Sequence, residues 1–585
     1  MGPITRRGFL TAGSAGVLGL AASRFTVVDL NAAPSVNKNR NTPDSVLDAF
    51  IANYLRLMNA PGITLGTANE NGTVRVAAYG YDDPECKQRI DPSQLFHIGS
   101  ITKSFVALVI LQLHEEGKID LQKPVLEYLP WLPIECTYGA INAHHLLTHT
   151  SGLPDALVLF PTDRTTRWQQ AWKPGEKFYY SNVAFDILGH LIEALDGRTW
   201  PSAAKARVLD RVGMPSTVAV ITSDIAARTA HSYVPLYEDR PYPRMGKLAR
   251  AGIFQFDDAA GSIASTGKDM SVYAQMLLNH GKLANGRIIS EDSFALMSKP
   301  HIKADEFGPT ASYGYGIAVD TMDGHPVLRH TGGMPSFASA ILIDLEAKHA
   351  AFASINAMQG FRPTQVVQYA VQLMSAVPNP KGYLAPPVIE DPLDVKNAAD
   401  FTGTYTGDDG KTVEITAEKQ ALFATIDGHK MQLESAGPDA FITEDPLYAR
   451  SAFAFGRMPQ DQKKEDAPKP SEPKPASPPV IELALGSHWY RNSRYTGPTE
   501  FKAPDHYRAL TGYYLGNLDG FPSDVTIVIR KGELCMENGG KLVPIGENEF
   551  MVDGAPDRLE FLYVVGGKAR LMKMAGIDLW RFERT

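Results

Sequence analysis

The stretch FTGTYTG at 401–407 returns as LTGYYLG at 510–516, and the residues after each copy run in parallel. KQALFATIDGHKMQLESAGPDAFI matches KGELCMENGGKLVPIGENEFM, SAFAF matches the LEFLY region, and the copies close on Trp and Arg in HWYR and LWRF. A pattern written twice must build the same unit twice. Helical periodicity disappears from about 397, so each copy is read as a small antiparallel barrel-like β unit of roughly 80 residues. The first copy is interrupted at 460–479 by QDQKKEDAPKPSEPKPASPP, whose Pro, Lys and Glu cannot pack a core; a disordered loop is expected there.

The preceding residues read differently. From about 43 to 385, SVLDAFIANYLRLMN has helical spacing, and NVAFDILGHLIEALDG is a helix closed by Gly197. SVYAQMLLNHG is a third helix, ended by Gly281. GITLGTANENGTVRVAAYGY reads as two strands around Asn71-Gly72, a strong hairpin signal. SYGYGIAVD, HPVLRHTGG and SFASAILIDLEAKHAAFASINA read as successive strands, antiparallel because their connections are short. Helices and an antiparallel sheet in one large core make this part α+β. With 585 residues the chain is too long for one core. The expected division is 1–40 leader, 41–390 α+β domain, 391–500 first β unit and 501–585 second.

Composition is 44% hydrophobic and 21% charged, ordinary for a globular protein. A net charge of −8 without a long basic cluster argues against nucleic acid as a partner. Cys86, Cys136 and Cys535 are too few and too scattered for a disulfide framework or a zinc site. At the N-terminus, TRRGFLTAGSAGVLGLAA pairs Arg6 with Arg7 ahead of a short apolar stretch, and resembles a twin-arginine export signal. Cleavage between Ala22 and Ala33 would give a bacterial periplasmic or secreted protein. No later run reaches the roughly 20 apolar residues a membrane span needs.

In HIGSITKSFVALVILQLHEEGK, Ser100 and Lys103 stand three apart at the mouth of a run apolar on most faces, hence a buried helix. Serine is also a good helix N-cap. The S-x-x-K spacing recurs at Ser35/Lys38, Ser202/Lys205, Ser265/Lys268 and Ser471/Lys474, so alone it proves little. It gains meaning from FYYSNVAF, with Tyr180, Ser181 and Asn182, and from LRHTGGMP, with His330, Thr331, Gly332 and Gly333. The ordered set S-x-x-K, Y-x-N and H-T-G resembles the penicillin-recognising serine hydrolases: class C β-lactamases, D-alanyl-D-alanine peptidases, D-aminopeptidases and related esterases. LLTHTSGLP, KPGEKFYYSN, GSIASTGKDM and YGYGIAV agree in order, over about 45–360.

The resemblance implies a serine β-lactamase-like domain, an antiparallel sheet flanked by helices plus a helical lobe; the two β units, which lie outside it, are expected to be lipocalin-like. It implies an acyl-enzyme on Ser100, with Lys103 or Tyr180 as the base. Lys103 lies one helical turn from Ser100, on the same face. Asn182 would bond Lys103 and a substrate amide. By the same resemblance the N–H groups of Ser100 and Gly333 form the oxyanion hole. Many antibiotic-destroying members carry Lys where this chain has His330, and a mostly neutral imidazole holds a carboxylate less firmly. That tilts the expectation toward peptides, amides or esters without a carboxylate there. His144, His145 and His149 look like a metal cluster but sit in a segment the family uses structurally. No metal or cofactor is expected. The expected protein is an exported peptidase or amidase for unusual or D-residue-containing peptides, taking a small-molecule or peptide substrate. A carboxylesterase, or a penicillin-binding protein without turnover, are the alternatives.

Overall fold

The computed structural model describes residues 42–585 except 157–158, 161–166, 238, 377–383, 460–476, 519–520, 538 and 584–585, with the short strand Thr26–Val27. The twin-arginine segment and most of the 460–479 insertion lie outside the described residues.

Six strands organise the first part: β1 (Gly62–Asn69), β2 (Gly72–Asp83), β3 (Ala318–Met322), β4 (His325–Met334), β5 (Phe337–Asp344) and β6 (His349–Ile355). Their order across the antiparallel sheet is β2-β1-β6-β5-β4-β3, so the first hairpin pairs with strands nearly 300 residues on. That hairpin turns on Glu70-Asn71, with Asn69 opposite Gly72, one residue before the turn read from sequence.

Alternation explains how the sheet is covered. On β5, Ile341 and Ile343 pack into the helical lobe, while Ala340 and Leu342 face the opposite layer. Both faces are covered, and every residue of β5 is buried. One layer is α1 (Pro43–Leu57) with α5 (Thr364–Ser375); the other centres on α2 (Thr102–Glu115), α3 (Asn182–Asp196) and α4 (Gly267–Leu278). Ends are chemically marked. Thr42 and Ser45 form a reciprocal capping box at α1, and Gly197, at φ +77, closes α3.

The repeated text becomes two eight-stranded β units. The first, from Gly403–Gly407 to His488–Arg491, is a closed barrel. The second, from Gly512–Leu518 to Ile577–Phe582, is an eight-stranded sheet whose ends meet at the single bridge Cys535–Lys541. The correspondence extends to single bonds. Tyr405 donates to Phe401 O and Tyr514 to Leu510 O, each at 2.8 Å and each tyrosine fully buried. The units touch through Lys531–Glu482 (2.9 Å) and Arg530 to Gly486 O (2.7 Å). All three cysteines are free. Among the described residues no helix is long and apolar enough to cross a membrane.

Candidate active site

Ser100 does not cap its helix. It sits inside a 3-10 turn, Gly99–Ile101, that runs directly into α2, and neither start carries a side-chain cap. Gly99 makes the turn with φ +53, a conformation side chains resist. The turn presses on β4: a Cβ at Gly332 would lie 1.8 Å from Ile98 O, so only glycine permits the approach. Ile98 N–H to Ile263 O (3.0 Å) and Ile263 N–H to Thr102 Oγ1 (3.2 Å) lock the turn against residues 260–265. The Ser100 hydroxyl is thereby freed from local duty.

Lys103 is wholly buried, and its Nζ meets three oxygens: Asn182 Oδ1 at 2.7 Å, Ala260 O at 2.8 Å and Ser100 Oγ at 3.1 Å. Burial pulls this amine down to about 7, against the opposing pull of Asp155 and Asp186. A neutral amine has two N–H donors and one lone pair. The two carbonyl oxygens can only accept, so they take the donors and leave the lone pair facing the Ser100 hydroxyl.

Tyr180, Ser181 and Asn182 lead into α3. Ser181 caps it through Ala184 N–H (3.3 Å). Asn182 is fixed from the other side: Asp155 Oδ1 accepts from its Nδ2 (3.0 Å) and its N–H (2.9 Å). His149 also belongs to this support. Its Nδ1 accepts from Ser181 N–H (3.0 Å) and its ring lies 4.2 Å from that of Tyr180. Burial holds His149 well below its usual pKa, so it is neutral. The Tyr180 hydroxyl is buried with no full hydrogen bond. Burial raises its pKa far above normal, and proximity to Ser100 offsets this only in part, so the phenol keeps its proton. Lys103 Nζ stands 4.9 Å from the same ring.

Ser100, Asn182, Gly333 and Arg362 line a cavity of about 900 Å³, walled by the stretch Ala249–Phe256. His330 is buried, with Nε2 on the Tyr313 hydroxyl (2.8 Å) and Nδ1 near Thr331 O (2.6 Å). Burial lowers it to about 3, so it carries no charge at pH 7. Two arginines, Arg250 and Arg362, line the cavity; Arg362 lies against β4, where a Cβ at Gly333 would lie 2.2 Å from its Nη2. Its Nη1 is held by Met358 Sδ (3.0 Å) and Phe361 O (3.2 Å).

The structure thus brings Ser100, Asn182 and Gly333 to one cavity, with Lys103 bonded to Ser100 and Asn182, the Tyr180 ring 4.9 Å from Lys103 Nζ, and His330, 6.4 Å from that ring, lining a separate cavity. The other described S-x-x-K serines lie elsewhere: Ser265 Oγ pairs with Thr217 Oγ1 (2.7 Å) and Ser202 with Thr199 (2.9 Å). Sequence reasoning missed Asp155, Ala260 and Arg362. Asp155 directly succeeds LLTHTSGLP, which offered a signal; Arg362 stands alone in GFRPTQ and offered none. Among the described residues no cluster of three His, Cys, Asp or Glu could hold a metal ion.

Residues 47–373 match the family model described as Beta-lactamase. Penicillin-binding protein 4* of Bacillus subtilis is 23% identical over 416 residues, covering 63% of this chain and 87% of that protein. Penicillin-binding protein 4 of Amycolatopsis lactamdurans is 25% identical, over 55% of this chain and 87% of its own length. A beta-lactamase of Pseudomonas fluorescens is 26% identical, over 41% and 65% respectively. Among solved structures, the octameric penicillin-binding protein homologue from Pyrococcus abyssi superposes with a TM-score of 0.52 at 22% identity, covering 76% of this chain and 98% of that one.

Proposed function

The chain belongs to the beta-lactamase family of serine hydrolases, and from that premise we propose that it is an exported peptidase or amidase acting through an acyl-enzyme on Ser100. The observation that carries this is the buried Lys103 amine, held by two carbonyl acceptors with its Nζ 3.1 Å from Ser100 Oγ. Lys103 takes the hydroxyl proton as Oγ attacks the substrate carbonyl. The oxyanion that forms is received by the N–H groups of Ser100 and Gly333. Tyr180, which keeps its proton, passes it to the departing amine and is reprotonated from the Lys103 ammonium. Water then cleaves the acyl ester with the proton flow reversed. This assigns the base to Lys103 and the acid to Tyr180, as their opposite pKa shifts favour. Asn182 acts through Lys103.

Unusual or D-residue-containing peptides are the favoured substrates. His330 is neutral, and Arg362, one of two arginines that line the cavity and the one against Gly333, supports a substrate carboxylate reached from the α5 side rather than from β4. The test is turnover of matched L- and D-amino acid amides, an ester and a penicillin by the mature protein. Preference for a D-amide supports the proposal. Preference for the ester makes the protein a carboxylesterase, and Ser100 labelling without turnover makes it a penicillin-binding protein. Arg362→Ala should raise KM about tenfold for carboxylate-bearing substrates and leave neutral ones unchanged.

A further inference from the structure

The Tyr180 hydroxyl makes no full hydrogen bond, so beyond the packing of its ring on His149 its position depends on what grips the chain around it. Several grips come from the hydrolase part, among them His149 Nδ1 on Ser181 N–H (3.0 Å). His149 O accepts from Tyr179 N–H (2.8 Å), Pro154 O from the Ser181 hydroxyl (2.8 Å), and Asp155 holds Asn182. A further grip comes from the second β unit. The Tyr179 hydroxyl donates to Oδ2 of Asp557, in the turn between strands Glu549–Val552 and Arg558–Val565 of the second β unit. Asp557 is only 7% exposed, and its turn is closed by Val552 N–H to Asp557 O (2.9 Å). Trp172 flanks Tyr179 edge-on at 5.8 Å. The contact borders a cavity of about 440 Å³ shared by Pro154 and Trp168 with the second unit.

We propose that Asp557 is a positioning residue for catalysis: through Tyr179 it fixes the segment that carries Tyr180 and Asn182, so the second β unit is a working part of the acylation apparatus. A buried carboxylate accepting from a phenol is among the stronger neutral-donor hydrogen bonds. Tyr179 and Tyr180 are adjacent in the chain, so a shift at one phenol is transmitted directly to the other. A hydroxyl that must meet both Ser100 and the leaving group tolerates little displacement. Asp557 does not line the cavity that holds Ser100, so its removal should act on rate rather than on substrate binding.

The inference rests on Ser100 being the nucleophile, so Ser100→Ala is measured alongside; activity retained there would refute that reading and leave the Asp557 result to be judged separately. In the full chain, Asp557→Ala and Tyr179→Phe should each lower kcat about 10- to 100-fold with KM within twofold, and slow fluorophosphonate labelling of Ser100 equally. The double variant should be no worse than the poorer single one, since both break one bond. Asp557→Asn, which keeps an acceptor oxygen, should recover most of the rate. Melting temperature is measured throughout, and Tyr179→Phe, which removes one oxygen, guards against a failure of Asp557→Ala to fold. Wild-type kcat in Tyr179→Phe, a loss confined to KM, additive losses in the double variant, or no recovery in Asp557→Asn would each overturn the proposal.

Discussion

Tyr405 in the first β unit and Tyr514 in the second make the same buried bond, to a carbonyl four residues back, yet the two units present different residues to the hydrolase core. The first offers Glu434, whose Oε1 accepts from Arg244 N–H at 2.6 Å, and Arg450, 3.1 Å from Asp239. Both contacts fall on the chain that goes on to wall the cavity at Ala249–Phe256. The second offers Asp557 to the residue before Tyr180, and Asp524 at the cavity itself. Duplication copied a framework whose stability lies in its buried strands. The contacts differ because strand residues Glu434 and Asp524 and the connecting residues Arg450 and Asp557 are not matched between the copies. One unit touches the chain that walls the cavity, and the other touches the residue before Tyr180.

The largest effect sets the floor for that contrast. Ser100→Ala should lose turnover and fluorophosphonate labelling by at least about 1000-fold while folding survives, and Ser265→Ala should not. Retained activity would remove the site from which both units are compared.

Next comes the pH profile. With Lys103 near 7, kcat/KM should rise through about pH 7 as the amine loses its proton, and Lys103→Ala should cost about 100- to 10,000-fold. The same depression sets the sign of the stability effect. Between about pH 7 and the ordinary lysine value of 10.5 the unfolded chain holds a proton that the folded one lacks, so this group makes stability rise with pH across that window. A rate-only defect predicts that Asp557→Ala keeps the same midpoint with a lower plateau. A shifted midpoint would mean that the second unit also sets the electrostatics of Lys103.

Smaller effects are expected from the first unit. Glu434→Ala should cost about 1–2 kcal/mol of stability, read by denaturant unfolding, and should alter KM for bulky substrates while Ser100 labelling by a small probe stays at the wild-type rate. Slowed labelling there would erase the distinction between the units. The smallest effect belongs to the insertion. Pro478 O accepts from Arg457 (2.8 Å) and Pro479 O from Met458 N–H (2.9 Å), so those residues belong to the barrel. Deleting 461–476 alone should leave melting temperature and kcat/KM unchanged.

Local pattern carried much of this molecule. The repeat announced two like β units, period and caps announced α1 and α3, and the ordered motifs singled out Ser100, Lys103, Tyr180, Asn182, His330 and Gly333 together. Those are properties of short stretches, where spacing and residue type already dictate periodicity and reach. Local rules misread what neighbours override. Ser100 has the chemistry of a cap, but Gly99 at φ +53 and the approach of Gly332 place it inside the turn instead. Three-dimensional packing alone decided the rest. Burial sets Lys103 near 7 and keeps Tyr180 protonated, Arg362 is brought against Gly333 in the cavity, and Asp557 reaches Tyr179 across 378 positions of chain. Burial and long-range contact depend on which distant segments meet, and no short stretch of sequence contains that information.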